Sequence, residues 1–139
     1  MNVVVSDATG LIKVVQLKTN GSVKKLGTQD RSRGGITRMA WAGMTNPESE
    51  VAVALSQGTV EVWNTLTNEK TASMEAPPFA SPTDKYIGLH VLRSFGASNE
   101  SSSEYTTQRR LVTATQSGTV CIAPWVPYLP DVVENEDEL

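Results

Sequence analysis

The stretch Val51–Thr65, VAVALSQGTVEVWNT, decides the fold class. Apolar side chains alternate on both sides of a short polar turn centred on Gly58, and the second run ends at Trp63. Such alternation is typical of β-strands, and a tight hairpin turn needs a residue with positive φ, which glycine adopts without steric cost. The stretch therefore predicts two antiparallel strands joined at Gly58.

The same pattern occurs in two further segments of the chain. VVVSDATGLIKVVQL begins at Val3 and LVTATQSGTVCIAPW begins at Leu111. Alignment of Gly10, Gly58 and Gly118 brings the flanking apolar positions of all three segments into register. The intervals between these glycines approach the roughly 40–45 residues of a four-stranded propeller blade when a polar insertion between Gly58 and Gly118 is left out of the count. The repeat therefore predicts a β-propeller.

The predicted architecture is all-β: an incomplete β-propeller of about two blades plus an N-terminal strand pair. Residues 1–128 are predicted to form this partial propeller, and residues 129–139 an acidic tail or a link to further blades. Small polar residues without periodicity near 96–107 predict a disordered insertion. The predicted blade parts lie around residues 3–17, 22–65 and 69–125.

Charge is distributed unevenly along this chain, whose formal net charge is −3. Residues 1–47 carry seven Lys/Arg against two Asp/Glu, and residues 48–139 carry five against thirteen. A basic segment predicts a charged partner such as a phosphate backbone, bound without sequence preference; the alternative is a set of solvated loops. Four of the basic residues are expected on one rim loop, namely Lys24, Lys25, Arg31 and Arg33. The candidate RNA or partner contacts are Lys13, Lys24, Lys25, Arg31, Arg33 and Arg38.

No set of catalytic groups converges in the sequence, so we predict that the protein is not an enzyme and uses no cofactor, metal or small-molecule substrate. The single histidine, His90, lies in KYIGLHVLRSF, which is apolar at nearly every position and predicts an inner strand buried on both faces. His90 is therefore expected in the core, and Cys121 is expected to be a small core side chain. Trp63 is expected to pack in the core rather than to stack on bases. The N-terminus lacks signal-peptide features and no membrane contact is predicted, so cytoplasm or nucleus is expected.

VAVALSQGTVEVWNTLTNEKTASM resembles a WD repeat, with Trp63-Asn64 in place of Trp-Asp. In this resemblance Gly10, Gly58, Trp63 and Gly118 take structural repeat positions. SDATGLIKVVQL, followed by a basic segment and by ITRMAWAGMTNPESEVAVALSQGTVEVWN, is similar to the opening of the WD-repeat ribosome-biogenesis factors of the large subunit. TQSGTVCI resembles the next blade of that family.

The resemblance implies a non-catalytic scaffold in the nucleus and nucleolus, acting on pre-ribosomal large-subunit particles and in rRNA processing. Its partners would be other assembly factors, through protein–protein interaction, and pre-ribosomal RNA through the basic loop. The alternative is a WD-repeat adaptor in another complex, for example substrate recognition by a ubiquitin ligase. Because one fold hosts many functions, only the narrower resemblance separates these two roles.

Overall fold

A computed structural model describes residues 2–7, 9–17, 22–27, 34–75, 83–97 and 105–130. The described residues form three antiparallel sheets, and a short 3-10 helix at Pro47–Ser49 precedes the fifth strand. Sheet A has the order β1-β2-β3, sheet B the order β4-β5-β6-β7, and sheet C the order β10-β9-β8. The all-β prediction is thus confirmed. The strands are β1 Asn2–Ser6, β2 Ile12–Gln16, β3 Val23–Leu26, β4 Ile36–Trp41, β5 Glu50–Leu55, β6 Thr59–Asn64, β7 Lys70–Glu75, β8 Tyr86–Ala97, β9 Tyr105–Thr115 and β10 Val120–Pro124.

Sheet B lies between the other two sheets and is buried on both faces. Successive side chains of a strand point to opposite faces, so the valines of β5 face sheet A and its alanines face sheet C. The cluster between sheets A and B contains Ile12, Val14, Leu26, Val51, Val53 and Trp63. The cluster between sheets B and C contains Ala42, Ala52, Ala54, Val60, Val62, Ala72, Met74, Tyr86, Val91 and Leu111. The sheets are therefore stacked in chain order, A on B on C.

The three aligned glycines adopt the same turn in all three sheets. Their φ angles are 87° at Gly10, 107° at Gly58 and 96° at Gly118. Each glycine N–H donates to the carbonyl three residues earlier, at 3.3, 3.0 and 3.0 Å respectively. The positive φ predicted from the hairpin pattern is therefore present in each copy of the repeat.

The predicted grouping of strands into blade parts is wrong at two places. The predicted blade parts place β3 with the strands that follow it, whereas β3 pairs with β2 in sheet A. They place β7 with the segment after residue 69, whereas β7 pairs with β6 in sheet B. The missed signal is the dipeptide Asn20-Gly21, which favours a hairpin turn between two strands. That dipeptide lies outside the described residues. Gln16 precedes it and Ser22 follows it, and the Gln16 N–H donates to the Ser22 carbonyl at 3.0 Å.

The predicted disordered insertion near 96–107 is too wide. β8 and β9 remain paired out to Ala97 and Tyr105, so both ends of the predicted loop belong to strands. Tyr and Thr favour extended structure, which accounts for the longer strand. Residues 98–104 lie outside the described part of the chain.

The expectation that the strand around His90 is buried on both faces is also wrong. His90 is exposed, as are Ile87 and Leu92. Sheet C is the last sheet along the described residues, and within them only its inner face, with Tyr86 and Val91, is covered. Cys121 on β10 is half-buried rather than fully in the core.

The chain after β10 returns to sheet B and runs along the edge of β7. The Ser73 N–H donates to the Val126 carbonyl at 3.1 Å, and the Tyr128 N–H donates to the Thr71 carbonyl at 3.0 Å. An isolated bridge joins Ala72 to Pro127 between these bonds. The predicted acidic tail begins just beyond this point, and its residues 131–139 lie outside the described chain.

Candidate functional site

The outer face of sheet A is the surface on which predicted contact residues meet. Because Ile12, Val14 and Leu26 point toward sheet B, the residues between them in sequence point away from it. The register places Lys13 of β2 directly opposite Lys25 of β3. We call this surface the basic face; it consists of Val3, Val5, Lys13, Val15, Val23 and Lys25.

The basic face combines two like charges with exposed aliphatic side chains. Side chains of directly opposed strand residues have Cβ atoms roughly 4.5–5.5 Å apart, and like charges at this distance are destabilising. Lys25 is exposed and Lys13 is half-buried. Val3, Val5 and Val23 are exposed beside them. An anionic group bound between the two ammonium groups would remove their repulsion, so the arrangement suits an anionic partner that also offers apolar contact.

Asp7 lies at one end of this face and is engaged in the β1–β2 turn. Its Oδ1 accepts hydrogen bonds from the Thr9 hydroxyl at 2.7 Å, the Thr9 N–H at 2.9 Å and the Leu11 N–H at 3.1 Å. The Thr9 hydroxyl contributes most to lowering the pKa of Asp7, followed by the two backbone N–H groups, with a smaller contribution from Lys13. The carboxylate therefore shapes the turn more than it neutralises Lys13.

The other predicted basic contacts do not share the basic face. Lys24 was expected on a rim loop with Lys25, but both lie in strand β3, and alternation turns Lys24 toward sheet B. There its Nζ donates to the Leu66 carbonyl in the β6–β7 turn. Arg38 lies on the face of sheet B that meets sheet C, where its Nε donates to the Ile87 carbonyl at 3.0 Å. The remaining two, Arg31 and Arg33, are outside the described residues.

Trp63 lies in the core between sheets A and B, with 9% of its surface exposed. A Cβ atom added at Gly27 would lie 2.8 Å from the Trp63 ring, so β3 ends in close contact with the indole. The Lys70 Nζ lies 5.7 Å from the ring centroid and pairs with the Glu61 Oε2 at 2.7 Å. Trp63 thus offers no open face for stacking on a base.

Two arginines that sequence reasoning missed join sheet C to the loop after β4. Arg93 donates from Nε to the Gly43 carbonyl at 2.6 Å and from Nη2 to the Trp41 carbonyl at 2.8 Å. Arg109, its cross-strand partner, donates to the Ala42 carbonyl at 3.1 Å. These bonds depend on residues about fifty or more positions apart, so no local pattern could have predicted them.

A second structural network surrounds the buried carboxylate of Asp84. Its Oδ2 accepts from the Ser117 hydroxyl at 2.7 Å, and its Oδ1 accepts from the Ser117 N–H at 3.1 Å. These bonds fix the β9–β10 turn against the entry to β8. Asp84 therefore stabilises the turn that contains Gly118.

Open grooves lie beside the sheets of the described residues, and two of them are larger than the groove at Asp7 and Lys13. One, of about 370 Å³, lies between β1 and β4 and is lined mainly by apolar residues, among them Val3, Met39 and Trp41. The other, of about 460 Å³, lies where β9 meets β10 and includes Arg110 and Trp125.

Within the described ranges, no cluster of three His, Cys, Asp or Glu side chains is arranged to hold a metal ion. In the same residues, no helix is long and apolar enough to cross a membrane.

Comparison with known proteins finds no match to this chain among family models, curated proteins or solved structures. The candidate site is therefore defined by the geometry of the sheets and by the sequence.

Proposed function

We propose that the protein is a non-catalytic scaffold of the WD-repeat β-propeller type that acts in assembly of the large ribosomal subunit. The observation that carries the scaffold role is the contrast between the three sheets. Sheet B is buried on both faces, whereas the outer faces of sheets A and C both expose apolar side chains in the described structure. Exposed apolar surface of this kind is typical of interaction sites.

The stacking of the sheets supports the propeller. Consecutive antiparallel sheets follow one another along the chain and pack face to face, as blades do around a propeller axis. The first strands of sheets B and C, β4 and β8, also lie beside each other. The three glycine turns add a backbone feature that repeats once per sheet.

The outer face of sheet C supports docking of other proteins. Val120 and Ile122 on β10 are 67% and 60% exposed, and Leu92 on β8 shares their face. Branched apolar side chains on a sheet face are stabilised when a partner removes them from water. This face is therefore the proposed contact for another assembly factor.

The basic face supports contact with the phosphate groups of pre-ribosomal RNA. Lys13 and Lys25 supply two ammonium groups that can each neutralise a phosphate, and nothing in their geometry reads a base edge. The ribosomal setting, with its nucleolar location, is supported by the sequence resemblance around Gly10, Gly58 and Gly118 alone. The two surfaces together would let one scaffold hold RNA and protein at opposite ends of the stack.

The experiment is recovery of the tagged full chain from eukaryotic cells, followed by sequencing of bound RNA and mass spectrometry of bound proteins. We expect large-subunit precursor rRNA together with assembly factors. Val120→Glu/Ile122→Glu should lose protein partners, whereas Leu66→Glu, at an exposed turn position on neither outer face, should keep them. Recovery of ubiquitin-ligase subunits without precursor rRNA would contradict the proposal and favour the adaptor role.

A further inference from the structure

We propose that, when no RNA is bound, the basic face of sheet A binds the acidic segment 131–139 of the same chain, DVVENEDEL. The first reason is the chemistry of the face. It presents Lys13 and Lys25 as opposed neighbours, its other strand residues are valines, and Asp7, engaged in the β1–β2 turn, lies at its end. An occupant must therefore bring carboxylates and aliphatic side chains together.

The segment has this combination in its sequence. Five of its nine residues are acidic and three are Val or Leu. In an extended chain, alternate side chains share one side, which would group Val132 with Glu134, Glu136 and Glu138. That side matches valines and ammonium groups on the basic face.

The route of the preceding residues leads toward sheet A. Tyr128 lies on the edge of β7, with its ring centroid 4.7 Å from the Lys70 Nζ. Lys70 lies against Trp63, whose ring contacts Gly27 at the end of β3. The side chains of Lys70 and Trp63 thus connect the Tyr128 ring to the end of β3 at the edge of sheet A.

The length of the segment is sufficient to reach the face. Nine extended residues span up to roughly 30 Å, several times the roughly 10 Å between packed sheets. The segment can therefore pass β3 and lie across Lys25 and Lys13.

A second copy of the chain is a poorer occupant. Its own basic face would bring lysines against lysines. The described outer face of sheet C carries Arg110 and His90 and no carboxylate. Neither described outer face of another copy complements the basic face in charge, so in the absence of RNA the acidic segment is the matching partner.

The test is zero-length carbodiimide cross-linking of the dilute full chain, which joins a lysine to a carboxylate only when the two are in contact. Links are mapped by mass spectrometry in the monomer fraction, without RNA or partner, so the result is independent of the ribosomal proposal. We expect links from Lys13 or Lys25 to the segment at roughly tenfold the yield of links from exposed Lys85.

A charge exchange provides the matched control. One variant exchanges the charges of the two regions, and we expect it to form links between them with lysine and carboxylate in reversed places. It combines Lys13→Glu/Lys25→Glu with Glu134→Lys/Glu136→Lys/Glu138→Lys. Equal links to Lys85, absence of links, or links found only in a dimer fraction would each overturn the proposal, the last by identifying a second copy as the occupant.

Discussion

Arg109 of sheet C forms an ion pair with Glu50 of sheet B, with 2.6 Å between Nη1 and Oε1. The other carboxylate oxygen of Glu50 accepts from the Thr71 hydroxyl at 2.7 Å. The Arg109 guanidinium also lies 4.3 Å from the centroid of the Trp125 ring. One arginine thus joins β9, β5 and the chain after β10, which fixes the stacking of sheets B and C.

Arg109→Gln should lower the free energy of unfolding by about 2–4 kcal/mol, because removal of one partner leaves a largely buried carboxylate without its counter-charge. Arg110→Gln is the matched control, since Arg110 is the next residue and is exposed. It should change stability by less than about 0.5 kcal/mol. Denaturant unfolding of the two variants checks this, and equal losses would show that the ion pair does not hold the sheets together.

Tyr86→Phe should destabilise the fold by about 1–3 kcal/mol, because the buried Tyr86 hydroxyl donates to the Gly58 carbonyl at 2.6 Å and its loss leaves that carbonyl unpaired. Burial, with a smaller contribution from Cys121, raises the pKa of Tyr86 to about 12. The neutral phenol is therefore favoured by folding. Its contribution is complete below the unfolded pKa of about 10 and is lost as pH rises toward 12.

Stability measured between pH 9 and about 11.5 should accordingly fall more steeply in the parent than in Tyr86→Phe. Tyr128→Phe provides the comparison at an exposed tyrosine. Parallel slopes for the parent and Tyr86→Phe would contradict the role assigned to this hydroxyl.

Gly58→Ala should cost about 1–2 kcal/mol, because its φ of 107° is a conformation that L-residues rarely adopt. Gly88→Ala is the comparison, since a Cβ there would meet only the Ala114 Cβ at 3.4 Å. Thermal unfolding should show a clear loss at Gly58 and a small change at Gly88. The reverse order would mean that the turn does not constrain the hairpin.

Asp7→Asn should weaken the fold near neutral pH and have less effect in acid. The lowered pKa of Asp7 means that its charged form is favoured by folding. Its contribution is therefore present above the unfolded pKa, 3.8, and lost as pH falls through the folded pKa. The stability difference between parent and variant, measured from pH 6 down to pH 2.5, should shrink; a constant difference would refute the role of the charge.

The strand pairs around Gly10, Gly58 and Gly118 could be predicted from sequence because alternation and a turn glycine are local signals. The exposure of His90 could not be predicted, because it depends on whether another sheet covers β8.

The candidate site was only partly predictable for a related reason. Strand alternation separates neighbours, so Lys24 and Lys25 point to opposite faces, and this follows only once both are known to lie in β3. Pairing of Lys13 with Lys25 depends on the register of a third strand. The return of residues 126–128 to β7 involves partners more than fifty positions away, and nothing in the local sequence indicates it.

The most direct test of the scaffold account is the salt dependence with which the full chain associates with large-subunit ribosomal precursors, compared between the parent, Lys13→Glu/Lys25→Glu and Lys85→Glu. We predict that the double variant binds more weakly and that its slope of log affinity against log salt is shallower by roughly 1.4–1.8, the loss of two phosphate contacts. Lys85→Glu, an exposed lysine away from the basic face, should behave as the parent does. Unchanged affinity and slope in the double variant, or equal losses in both variants, would contradict the assignment of the basic face to RNA.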